Sequence, residues 1–221
     1  MVEGLPTGFE DFVSARVLEI ASSVGAPTDQ KPGCRTNVLI IFTPEPQALL
    51  DNVRRRHPEF LGFHYEAQAK RLATFNRPIQ AWYVTGAKAR GGNVELDAEF
   101  GARVGGNAAS RLTAELRSQF LFVLVVVDSN KVAGHEIGAI SDNVAMLSLA
   151  RPAPPTACSE LPSVLDAMNP DCPATGGTEA ITIYDTAYLR ALYSIDMEAF
   201  LGAQRSEITS RILRDLKARS P

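Results

Sequence analysis

Apolar runs and helically spaced apolar residues alternate along this chain. The most apolar run, Phe120–Val127, is eight residues without a break and rich in valine. That length and β-branched content predict a strand buried on both faces. Asp128, Ser129 and Asn130 end it as a polar turn. Ile137, Ile140, Val144 and Leu147 then recur at helical spacing, and Pro152 stops the pattern, so a buried helix is expected over 137–150. Asn37–Phe42 (NVLIIF) and Ile79–Thr85 (IQAWYVT) read as two further strands.

The remaining periodic stretches read as helices. Thr7 and Glu10 have the spacing of a capping box, and Phe12, Val13, Val17, Ile20 and Val24 follow before Gly25 and Pro27 close the helix. Thr43-Pro44 is placed to cap a helix carrying Leu49, Leu50 and Val53, which ends at Arg54-Arg55-Arg56-His57 before Pro58. Phe63–Phe75 is expected to be helical. Thr182 with Asp185 opens a helix bearing Tyr184, Tyr188, Ala191 and Leu192, and a last helix from Asp196 carries Met197, Phe200, Ile208, Ile212 and Leu216. Strands separated by helices predict a single α/β (α+β) domain over 1–221, a small mixed sheet flanked by helices. Two stretches interrupt it: a Gly-rich exposed excursion over 86–112, with Asn93–Phe100 as an edge strand, and an irregular loop over 152–180.

Composition changes this picture little. The chain of 221 residues is 45% hydrophobic and 21% charged, which excludes a disordered chain. A formal charge of -3 argues against a protein that coats nucleic acid. No run approaches the length of a transmembrane segment. The start, MVEGLPTGFE, lacks the basic and apolar regions of a signal peptide. The cysteines matter more. Cys158 and Cys172 flank a Pro-rich segment 14 positions apart and are expected to form a disulfide in an exported protein; the alternative is two unrelated thiols. Cys34 has no evident partner in the sequence. The expected location is periplasmic or secreted, any signal peptide having been removed, with a cytoplasmic protein as the alternative.

Candidate chemistry centres on the predicted buried helix. Asp142 and Asn143 interrupt its apolar run, and a buried carboxylate needs a partner. A structural role, accepting hydrogen bonds from a neighbouring loop, is the expectation for Asp142; Asp166 and Asp185 are the carboxylates that could pair with it in a cleft. His135-Glu136 opens like the zinc motif HExxH, but the fifth position is Ala139, so the second histidine is missing. His57 and His64 lie far upstream. Neither a GxSxG elbow nor a phosphate loop is present. No metal and no cofactor are expected.

In element order the chain resembles the zincin metallopeptidases, in their metzincin variant. The helix at 137–150 takes the place of the active-site helix. Leu161–Met168 resembles the methionine-bearing turn beneath the metal, and Ile181–Tyr193 is similar to the last helix. The layout is also similar to exported families of Proteobacteria with no assigned chemistry. The resemblance implies a zincin-like fold. It also sets Asp142 and Met146 where two histidines would stand, and Asn143 where the catalytic glutamate would be. Methionine is a poor zinc ligand and an amide is no general base. The expected function is therefore a non-catalytic binding or structural role. The alternative is a hydrolase with a site near Asp142, His135 and Glu136. A cell-envelope protein partner, captured by the excursion around Trp82–Gly106, is a third expectation.

Overall fold

The computed structural model describes residues 1–28, 36–62, 70–89, 94–96, 116–152, 158–169, 172, 180–195 and 201–219. Five strands form one mixed sheet in the order β1-β2-β5-β3-β4. They are β1 (Val2–Glu3), β2 (Val38–Thr43), β3 (Ile79–Ala89), β4 (Val94–Leu96) and β5 (Leu116–Asp128). β1, β2 and β5 run parallel; β3 is antiparallel to both β5 and β4. The helices are α1 (Thr7–Ser23), α2 (Pro46–Arg56), α3 (Ile137–Leu149), α4 (Ile183–Ser194) and α5 (Leu201–Arg219), with a 3-10 turn at Pro58–Leu61.

Side-chain alternation along β5 divides the core. Val123, Val125 and Val127 join Ile40 and Phe42 of β2 against Val13 of α1 and Ile140 and Val144 of α3. Leu124 and Val126 face the other way, toward Leu50 of α2, Leu61, Ala73 and Trp82. The sheet thus lies between α1 with α3 on one side and α2 on the other, which is why β5 is apolar at every position from Phe120 to Val127. A third cluster joins α1 and α3 to α4 through Ile20, Val24, Ala145, Met146, Val164 and Leu189. The single mixed α/β domain expected from the sequence is present.

Several local expectations need correction. β1 follows no apolar run, and parallel pairing of Val2 with Ile40 creates it. The turn after it brings Gly4 against β2 at φ 93°, where a Cβ would sit 2.0 Å from the Phe42 carbonyl oxygen. Thr7 is the first helical residue, not the cap: Pro6 occupies that position, and Glu10 Oε1 accepts from the Leu5 amide at 3.2 Å. The second helix starts two residues later than the Thr43-Pro44 pair suggests. Glu45 is its N-cap and Pro46 its first residue, while Thr43 Oγ1 accepts from the Glu45 amide. Phe12, counted on the inner face of α1, is 46% exposed. β3 extends four residues past Thr85. Of the helix expected over 63–75, residues 70–72 are helical and 63–69 lie outside the described residues. Within the excursion, β3 and β4 pair as a hairpin through Gly86–Leu96 contacts; 90–93 and 97–115 lie outside the described residues.

Candidate functional site

α3 is buried nearly all round, because the sheet covers one face and α1, α4 and the 158–169 segment cover the rest. Asp142 and Asn143 point away from the sheet, on the helix face opposite Ile140 and Val144 or beside it. Both are almost fully buried, at 2% and 3% exposure. Desolvating that carboxylate would be costly without compensation. Arg16, from the middle of α1, supplies it: Nε and Nη2 donate to Oδ1 and Oδ2 of Asp142 at 2.6 and 3.1 Å. The amide of Ile181 adds a third bond to Oδ2 at 2.7 Å. Arg16 also reaches Glu19 at 2.8 Å, and its hydrogen bond to Asp142, more than any other influence, raises the guanidinium pKa above its usual value. Asn143 donates to the Val164 carbonyl at 2.9 Å.

The next residue after Ile181 repeats the device. The Thr182 amide goes to Asp185 Oδ2 at 3.0 Å, while Thr182 Oγ1 accepts from the Asp185 amide, a capping box at the helix start expected there. Asp185, 4% exposed, also accepts from Ser163 Oγ at 2.7 Å and from the Val164 amide at 2.9 Å. Two consecutive amides are thus given to two buried carboxylates on different helices. Between them, Asp142 and Asn143 on α3 and Asp185 on α4 fasten residues 163–164 and 181–182 to these two helices. Asp166 accepts from the Ser159 amide at 3.0 Å. Cys158 and Cys172 are joined by a disulfide with Cα atoms 5.4 Å apart, closing the same segment covalently. Replacing Asp185 by alanine is expected to cost about 2 to 3 kcal/mol, a lost cap plus an orphaned buried amide, read as a lower urea midpoint.

The C-terminal end of α3 is held by phenols. Tyr83 on β3 donates to the Leu147 or Ala150 carbonyl, at 2.8 and 3.0 Å, and Tyr193 on α4 donates to the Leu149 carbonyl at 2.7 Å. Burial raises the pKa of both, Tyr193 to about 12. A group whose folded pKa is raised contributes stability that is whole below the unfolded value of 10.0 and lost as pH climbs through the folded value. Stability should therefore fall between pH 10 and 12. Tyr193→Phe should flatten that fall in a pH series of thermal midpoints.

His135 and Glu136 are exposed in the turn before α3, with Glu136 as its N-cap. They sit one to two turns from Asp142 along the axis, and Asp142 is committed to α1 and α4 instead. The structure does not bring the four candidate residues together. His57 lies at the end of α2, across the sheet, stacked on Phe60 and 3.3 Å from Glu59. His64 and Cys34 lie outside the described residues. Among the described residues, no group of three or more His, Cys, Asp or Glu could hold a metal ion. Trp82, read from the sequence as part of the third strand and named as one end of the partner-capturing region, is a core residue of β3 whose Nε1 donates to the Leu72 carbonyl at 2.6 Å.

Arg16 was not legible as a site residue. It stands 126 positions before Asp142, and its one local sign is a cation beside an otherwise apolar helix stripe. Comparison with family models, with curated proteins and with solved structures finds no match to this chain. Among the described residues, no helix is long and apolar enough to cross a membrane. The intramolecular disulfide fits an extracytoplasmic, oxidising location.

Proposed function

We propose that this chain is a non-catalytic, exported domain of zincin-like architecture, acting in the periplasm or as a secreted protein, whose catalytic position has become a structural joint. The observation that carries this is the state of Asp142 and Asn143. Both carboxylate oxygens of Asp142 accept from Arg16, Oδ2 also accepts from the Ile181 amide, and the Asn143 amide donates to the Val164 carbonyl, so both side chains are engaged within the fold. A general base must reach its substrate proton, and a buried carboxylate clamped bidentately by arginine between two helices cannot. Zincin-like layout is supported by α3 following the central strand, by the turn ending at buried Met168 beneath it, and by α4 next in order. The resulting role is binding or scaffolding, carried by the surface and not by this helix.

The test is turnover against peptide, ester and phosphoester substrates, with wild type and Asp142→Asn run side by side. Background rates in both are expected. Turnover in the wild type that disappears in Asp142→Asn while the thermal midpoint is kept would overturn the reading in favour of a hydrolase.

A further inference from the structure

Four of the six large apolar side chains that stand exposed among the described residues lie round one place, the outer side of the Arg16–Asp142 joint. Phe9, Phe12 and Arg16 recur at i, i+3 and i+7 on α1, so they share one flank of that helix. Ile181 gives its amide to the same carboxylate oxygen that Arg16 Nη2 reaches, which sets the start of α4 across from that flank. Ile183 is the first residue of α4, and Leu161 precedes Pro162, whose carbonyl accepts from Thr182 Oγ1 at 2.9 Å. Phe9 and Phe12 are 50% and 46% exposed; Leu161 and Ile183 are 54% and 51% exposed. Between these two walls Gly138 stands one turn before Asp142 on α3, and a Cβ there would meet no atom within 4 Å. The result is a shallow apolar trough with polar edges, the mark of a surface that meets another molecule.

The charges about the trough decide what it fits. Arg16 is shared by Asp142 and Glu19, so the joint itself holds one positive charge against two negative. Asp11 on α1 and Glu160 beside Leu161 are exposed and have no ion-pair partner among the described residues. One cation against four carboxylates leaves the surround negative. That sign repels an anionic lipid surface or a nucleic acid and attracts a basic protein segment. The walls are helices and a loop, and they offer no strand edge with which an extended peptide could pair. An amphipathic helix satisfies its own backbone and needs only a groove for its apolar face.

We propose that this trough docks a basic amphipathic helix of a partner protein, its apolar stripe lying on Phe9, Phe12, Leu161 and Ile183 and its cations facing Asp11, Glu19 and Glu160. This names the surface for the binding role inferred above and rests on that reading. Docking there breaks no contact of the Asp142 joint.

A synthetic helix of about fifteen residues, leucine on one face and lysine on the other, titrated into the full chain and followed by fluorescence anisotropy, tests it. Saturable one-to-one binding that weakens with added salt is expected. A leucine–glutamate helix, and a serine–lysine peptide of the same charge without the leucines, should each bind about tenfold or more weaker. Phe12→Ser and Ile183→Ser, each made at an exposed side chain, should weaken the leucine–lysine helix about tenfold or more while keeping the thermal midpoint. Glu160→Lys should weaken the lysine helix and strengthen the glutamate one. Absence of saturable binding, equal affinity for the serine–lysine peptide, or affinity unchanged in both serine variants would each overturn the trough. Concentration-dependent dimerisation of the free chain in sedimentation, lost in Phe12→Ser, would overturn it too by giving the face to a second copy. None of these results touches the turnover measurement, so the trough and the non-catalytic reading fail separately.

Discussion

Arg16→Met is expected to be the most damaging single substitution in this protein, lowering stability by about 3 to 5 kcal/mol. The reason lies in what it leaves behind. Asp142's side chain is 3% exposed, and without Arg16 it keeps one amide partner, Ile181, for a full negative charge. The reverse change, Asp142→Leu, should cost less, about 1 to 3 kcal/mol. Arg16 is 30% exposed and retains Glu19, so water and a second carboxylate absorb part of the loss. The double variant Arg16→Met with Asp142→Leu should be less damaged than the sum of the two, because neither charge is then stranded. Urea unfolding of the four proteins measures this.

The second large effect is covalent. Reducing the Cys158–Cys172 disulfide, or replacing both cysteines by serine, should lower stability by about 3 kcal/mol, the figure for closing a loop of this length. The consequence should spread beyond the loop. Residues 163–164 deliver an amide and a hydroxyl to Asp185 and a carbonyl to Asn143, so freeing the segment exposes polar groups of α3 and α4 that it now satisfies. Hydrogen exchange at the amides of Val164, Ile181 and Thr182 is expected to accelerate together on reduction. Acceleration at Val164 alone would show that the joint at Ile181–Thr182 holds without the bridge. Mass spectrometry before and after reductant reads the bridge itself.

Elements built on local pattern could be read from residues alone. Phe120–Val127 as a two-sided strand, the stripe of Ile137, Ile140, Val144 and Leu147 facing the sheet, and the helix opened by Thr182 and Asp185 all rest on spacing within one segment. The need of Asp142 for a partner was equally visible, since desolvation of a carboxylate does not depend on tertiary detail. The identity of that partner was not. Arg16 looks like an ordinary surface cation until α1 is laid against α3, a contact made only because both helices cover the same face of the sheet. β1 was hidden for the same reason: two residues carry no period, and pairing with β2 defines them. His135-Glu136 drew attention as a dipeptide, yet the helix begins after it, and about two turns of helix separate it from Asp142.

The claim that α3 serves structure and holds no metal is tested most directly by elemental analysis. Protein equilibrated with zinc and then freed of loosely held ions should retain far less than one equivalent. Retention of one zinc per chain, lost when Asp142 is replaced by alanine in a variant that still folds, would contradict it.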